Sequence, residues 1–186
     1  VAAEFRHERP DRCVVGTVGE PGQRTFFLQA RSGGLVTSVV IEKTQVATLA
    51  DQLESMLDDI VRGSGGLADV PAVTPEAVED LGPLELPLEE EFRVGTMGLA
   101  WDPDSQRVEL AATAAGRDGA GGEELPDAED DLDVLVVLLT GAQARAFVSR
   151  ARAVVSAGRP PCPFCAQPLD PSGHICPRQN GFRRRS

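Results

Sequence analysis

Four side chains near the end of the sequence have the types and spacing of metal ligands: Cys162, Cys165, His174 and Cys176. Cys162-Pro-Phe-Cys165 is the pattern of a tight turn that aims two thiolates at one point, with Pro163 fixing φ early in the turn. His174 and Cys176 are two apart, so on an extended segment they project to the same side. Pro168, Pro171 and Gly173 lie between the pairs and suit a chain reversal. Three thiolates and one imidazole close a tetrahedron around Zn2+. Four protein ligands leave no position for water or substrate, so the zinc expected here is structural. Thiol redox chemistry would use Cys162 and Cys165 and leave the His174–Cys176 pair unexplained.

Other chemistry is weakly signalled. Arg178, Arg183, Arg184 and Arg185 follow the cluster. Their plain role is to balance the net −1 of a zinc held by three thiolates and a neutral histidine; their sharper role is contact with a phosphate, RNA or an acidic protein surface. Val15-Gly-Thr-Val-Gly19 recurs as Val94-Gly-Thr-Met-Gly98. Neither copy is followed by lysine or a helix, as a phosphate loop requires. Gly16, Gly19, Gly95 and Gly98 read better as bulges or close backbone approaches. If symmetry brought the copies together, Thr17, Arg24, Thr96 and Arg107 would line one groove. Cys13 reads as a small buried hydrophobe, and His7, in a charged stretch, as a solvated side chain. No G-x-S-x-G, HExxH or Walker pattern is present.

These side chains must be positioned by 186 residues, of which 41% are hydrophobic. That length suits one domain with an appendage, or two small ones. Basic residues are 17 Arg and a single Lys. The net charge of −11 argues against a generic binder of nucleic acid or anionic membranes. From Arg159 to Ser186 the balance is +4, which leaves −15 on the rest. An acidic body thus carries a basic, metal-clipped tail. The charged opening residues do not read as a leader, and no apolar run is long enough to span a bilayer. A cytoplasmic setting, with cysteines kept reduced, is the expectation.

The elements follow a repeated order. Strands around 15–18, 25–30 and 36–41 precede a helix with Val46, Leu49, Leu53, Met56, Leu57 and Ile60 on one face. Thr44 is its expected N-cap. Strands around 94–98, 108–113 and 134–139 precede a second helix with Ala144, Phe147, Val148, Ala151, Val154 and Val155 on one face. Thr140 and Gln143 there have capping-box spacing. The fold expected is α+β: an internally duplicated βββα repeat forming a mostly antiparallel sheet with two helices on one face. A pseudo-two-fold would relate the halves, and a small C-terminal zinc knuckle would follow. The divisions expected are a first repeat at 12–66 and a linker at 67–91 with a short helix from Thr74-Pro75-Glu76. A second repeat spans 92–158 with an acidic, mobile loop at 115–133, and the zinc-binding basic tail spans 159–186.

The stretch from Val14 to Ala30 and the segment Cys162-Pro-Phe-Cys through Pro168-Leu-Asp-Pro, Gly173-His-x-Cys176-Pro-Arg178 and Asn180-Gly181 resemble the DUF3090 family of actinobacterial proteins. The resemblance covers nearly the whole chain. It implies a cytoplasmic protein with a C-terminal metal-binding motif at Cys162, Cys165, His174 and Cys176, and it implies no activity. The chain departs from the usual pattern at Ala166, where glycine is common, and at Phe182, where tyrosine is usual.

The function expected is therefore a zinc-binding interaction or adaptor module without catalysis, whose partner is a protein or ribonucleoprotein. One alternative is an enzyme acting on a phosphorylated or nucleotide-like small molecule at the seam between repeats. Another is RNA binding through the C-terminal arginines.

Overall fold

A computed structural model of the chain describes residues 2–116, 132–157, 162–165 and 176. The elements run β1 (Glu4–His7), β2 (Arg12–Val18), β3 (Thr25–Ser32), β4 (Leu35–Ile41), α1 (Lys43–Gly63), a 3-10 turn (Glu76–Val78), β5 (Glu90–Asp102), β6 (Arg107–Ala114), β7 (Val134–Thr140) and α2 (Gly141–Ser156). The strands form one seven-stranded sheet in the order β1-β7-β6-β5-β4-β3-β2. Pairing is antiparallel within β2-β3-β4 and within β5-β6-β7. It is parallel where β4 meets β5 and where β1 meets β7.

Alternation along the strands builds the core. Leu28 and Ala30 of β3, Val39 and Ile41 of β4, Leu110 and Ala112 of β6, and Leu135, Val137 and Leu139 of β7 are all buried in one cluster. Both helices press their apolar stripes into that cluster, through Val46, Leu49, Leu53 and Leu57 of α1 and Ala144, Phe147, Val148 and Ala151 of α2. Thr140 caps α2 as its spacing predicts: its hydroxyl accepts from the Gln143 N–H at 3.1 Å, and the Gln143 side chain accepts from the Thr140 N–H at 3.0 Å.

Four expectations are corrected. The N-cap of α1 is Glu42, not Thr44, and its backbone N–H donates to Gln45 Oε1 at 2.9 Å. The helix expected from Thr74 is a single 3-10 turn after Pro75. The halves are not related by a two-fold across the sheet. Equivalent strands would then stand symmetrically about its centre, but β7-β6-β5 lies in tandem with β4-β3-β2. Finally, the N-terminal stretch contains a strand, β1, and His7 on it is fully buried rather than solvated. Its Nδ1 lies 2.8 Å from Ser32 Oγ and its Nε2 2.9 Å from Thr37 Oγ1. Those bonds join β1, at one end of the sheet order, to β3 and β4 near the other, so the sheet curls strongly.

The segment after α1 is not a slack linker. Residues 80–85 form a strap tied to β2 through Arg12 and Gly16 and to β3 through Gln29. The Gln29 side chain donates to Glu85 O at 3.1 Å and accepts from the Glu85 N–H at 2.8 Å. Leu84 packs so closely on Gly16 that a Cβ there would stand 2.5 Å from Leu84 Cγ. The acidic loop expected at 115–133 lies outside the described residues from 117 to 131.

Candidate metal centre

The body of the domain delivers the chain to the metal motif through the end of α2. The last turn of that helix is held by Arg24, which donates from Nη1 to Ala157 O at 2.7 Å. A cation on a free C-terminal carbonyl is favoured by the helix dipole.

Beyond the helix, Pro163 to Cys165 form a turn. It brings Cys162 and Cys165 together with Cys176, and the three sulfurs lie within 4.8 Å of one another. Cys162 and Cys176 are buried and Cys165 half-buried. The Sγ atoms of Cys162 and Cys176 are 3.8 Å apart and the cysteines are free, far beyond the ~2.05 Å of a disulfide. Two sulfurs each about 2.3 Å from one tetrahedral zinc stand about 3.8 Å apart. The observed spacing is therefore that of an edge of a zinc–thiolate tetrahedron.

Local backbone geometry favours the thiolate form. The Phe164 N–H donates to Cys162 Sγ at 3.4 Å. Burial raises the Cys162 thiol, but N–H bonds from Phe164 and Cys165 and the neighbouring sulfurs outweigh it and leave the thiol below its ordinary value. Cys13 shows the opposite case: half-buried against the core with no metal motif, its thiol is pushed by desolvation up to about 12. It is the inert small hydrophobe its sequence context suggests.

His174, Arg178, Arg183, Arg184 and Arg185 lie outside the described residues. The three sulfurs are close enough to hold one metal ion, and thiolate ligands suit a soft or borderline ion such as Zn2+.

The groove expected between the Gly-Thr-x-Gly copies is not assembled. Thr17 lies on the edge strand β2 and Thr96 on β5, with β3 and β4 between them in the sheet. Arg24 is committed to the end of α2. Arg107 donates to Leu138 O at 3.4 Å and sits opposite Asp102. The glycines serve the backbone instead. Gly19 has φ +103°, and a Cβ on Gly95 would stand 2.7 Å from Ala115 Cα, at a register shift between β5 and β6.

Sequence reasoning missed a second polar cluster. Arg12 of β2 donates from Nε and Nη2 to both oxygens of Asp80, at 2.5 and 2.9 Å. Arg150 of α2 donates from Nη1 to Asp80 O and Oδ1, at 2.6 and 3.3 Å, and from Nε to Val15 O at 2.7 Å. The Arg12 bond holds the Asp80 carboxyl below its usual range. Arginines flanking the apolar stripe of α2 were visible; nothing local in sequence could pair them with a carboxylate 70 residues upstream.

No curated protein and no solved structure gives a significant match to this chain. A family model described as "Protein of unknown function (DUF3090)" matches residues 5–176. The matched stretch begins within β1, takes in the rest of the sheet and both helices, and ends on Cys176. It contains all four metal-motif positions and stops short of Arg178 and Arg183 to Arg185. The chain belongs to the DUF3090 family.

Proposed function

We propose that this protein is a zinc-clipped interaction module: a rigid α+β body from which a structural zinc site presents the C-terminal segment to a protein or ribonucleoprotein partner. The carrying observation is the cluster of Cys162, Cys165 and Cys176, whose sulfurs lie within 4.8 Å of one another with a 3.8 Å Cys162–Cys176 edge. With His174 the donor set is closed, so the metal orders the chain and leaves no position for a substrate. The repeated order strand-strand-strand-helix supports an origin of the body by duplication of one unit. The separation of Thr17 from Thr96 removes the main motive for an enzyme at the seam.

Two measurements test the reading. Elemental analysis of protein purified without added metal should find one zinc per chain, lost in a Cys162→Ser/Cys165→Ser variant. Pull-down from native lysate should then recover a partner with the parent chain and not with that variant. Equal recovery of the same partner by the metal-free variant would remove the role assigned to the zinc.

A further inference from the structure

A cleft of ≈ 450 Å³ opens where the free edge of β2, one face of α2 and the strap meet. That volume suits a small organic ligand. Its polar wall is Arg12, Arg150 and Asp80, and its apolar wall includes Val78, Leu81 and Ala146. The two arginine side chains are only 12% and 9% exposed.

The hydrogen-bond inventory of that wall is unequal. Asp80, the strap carbonyls and Val15 O take Nε and one terminal nitrogen of each guanidinium. Arg12 Nη1 and Arg150 Nη2 donate no hydrogen bond to the described residues, and Arg12 Nη1 keeps only a long ion pair with Glu85, at 4.0 Å. Asp80 and Glu85 thus face three guanidinium groups, with Glu85 closer to Arg31 than to Arg12, and the arginines retain a positive charge on a poorly solvated wall. Asp11 and Glu79 also border the cleft, but both are exposed, and Asp11 accepts from the Gly33 N–H at 2.6 Å. Their charge is screened by water, whereas that of the buried arginines is screened much less. Leu81, also in the lining, is 80% exposed.

We propose that this cleft binds a carboxylate carried on a small apolar body. The carboxylate takes the spare N–H groups of Arg12 and Arg150, and the body lies against Val78, Leu81 and Ala146. The site is independent of the zinc centre. Its ligand comes from one of two sources: a free organic acid, or the terminal carboxylate of a polypeptide ending in an apolar residue.

Titration calorimetry of the full chain with benzoate, its neutral isostere benzamide, and a short leucine-terminated peptide as free acid and as amide tests this. Benzoate or the free-acid peptide should bind saturably, with the neutral counterpart at least about tenfold weaker, because a charge-assisted bidentate bond is lost. The free-acid peptide binding tighter than benzoate assigns the site to a polypeptide terminus; the reverse assigns it to a free acid. Ala146→Leu, which narrows the cleft, should abolish binding while circular dichroism stays unchanged. Arg150→Lys, which keeps the charge and removes the spare Nη2 donor, should weaken binding about tenfold. Equal binding of benzoate and benzamide, no saturable binding of either acid, or full binding by folded Ala146→Leu or Arg150→Lys would overturn the proposal.

Discussion

At the residue scale, two glycines of one pentapeptide meet different surroundings. A Cβ on Gly95 would press within 2.7 Å of the Ala115 backbone, which cannot swing aside; a Cβ on Gly98 would meet nothing within 4 Å. Gly95→Ala should therefore cost about 1–3 kcal/mol by overpacking, and Gly98→Ala should stay within about 0.5 kcal/mol of the parent. Urea midpoints of the two variants check this, and equal midpoints would contradict it. His7 makes a second case. Burial lowers its pKa from 6.5, so the folded state keeps it neutral while the unfolded chain takes up a proton. Its contribution is intact above pH 6.5 and falls as the pH drops below that, by up to about 1.4 kcal/mol per unit, until the folded form also protonates. His7→Asn retains hydrogen-bonding capacity and does not titrate. Its stability should show a shallower decline from pH 6.5 downward; the same slope as the parent would show that His7 is not the group responsible.

At the scale of elements, β2 is an edge strand whose outward carbonyls need partners. Arg150 satisfies one directly, at Val15 O, and fastens the strap to the helix through Asp80. Asp80 is 35% exposed, so the ion pairs are partly screened, and removing the carboxylate's charge leaves two guanidinium groups poorly paired. Asp80→Asn should destabilise by about 1–3 kcal/mol at neutral pH. Because the native carboxyl lies below its ordinary 3.8, its contribution is present above that value and lost as pH falls through the lower native one. The two proteins should therefore converge in strongly acidic solution, as denaturant titrations at two pH values would show. A constant gap between them would assign the effect to packing alone.

At the scale of the molecule, the large core cluster runs from Val15 to Ala151 and includes none of the three metal-motif cysteines. Removal of the proposed metal should therefore leave the body folded. Chelation should release one zinc per chain and expose three thiols to a thiol reagent, with little loss of far-ultraviolet dichroism. Cooperative unfolding of the whole domain on chelation would show that the zinc site and the core are one unit. No helix among the described residues is long and apolar enough to cross a membrane.

What could be read along the chain was whatever is local. The apolar stripes of α1 and α2, the Thr140–Gln143 cap, the six strands from β2 to β7 and the cluster at Cys162, Cys165 and Cys176 all depend on neighbours a few residues apart, where spacing dictates geometry. What could not be read depends on distant partners. The four residues of β1 are too short and too charged to announce a strand, and they become one by pairing with β7, some 130 positions on. His7 is buried because that pairing carries it under β3 and β4. The tandem sheet order keeps Thr17 from Thr96, and the strap that sets Asp80 between Arg12 and Arg150 creates a cleft no motif foretold. Spacing along the chain determined the cysteine cluster and the elements; only the tertiary packing of the sheet and helices, where burial of apolar faces outweighs chain entropy, decided which polar groups meet.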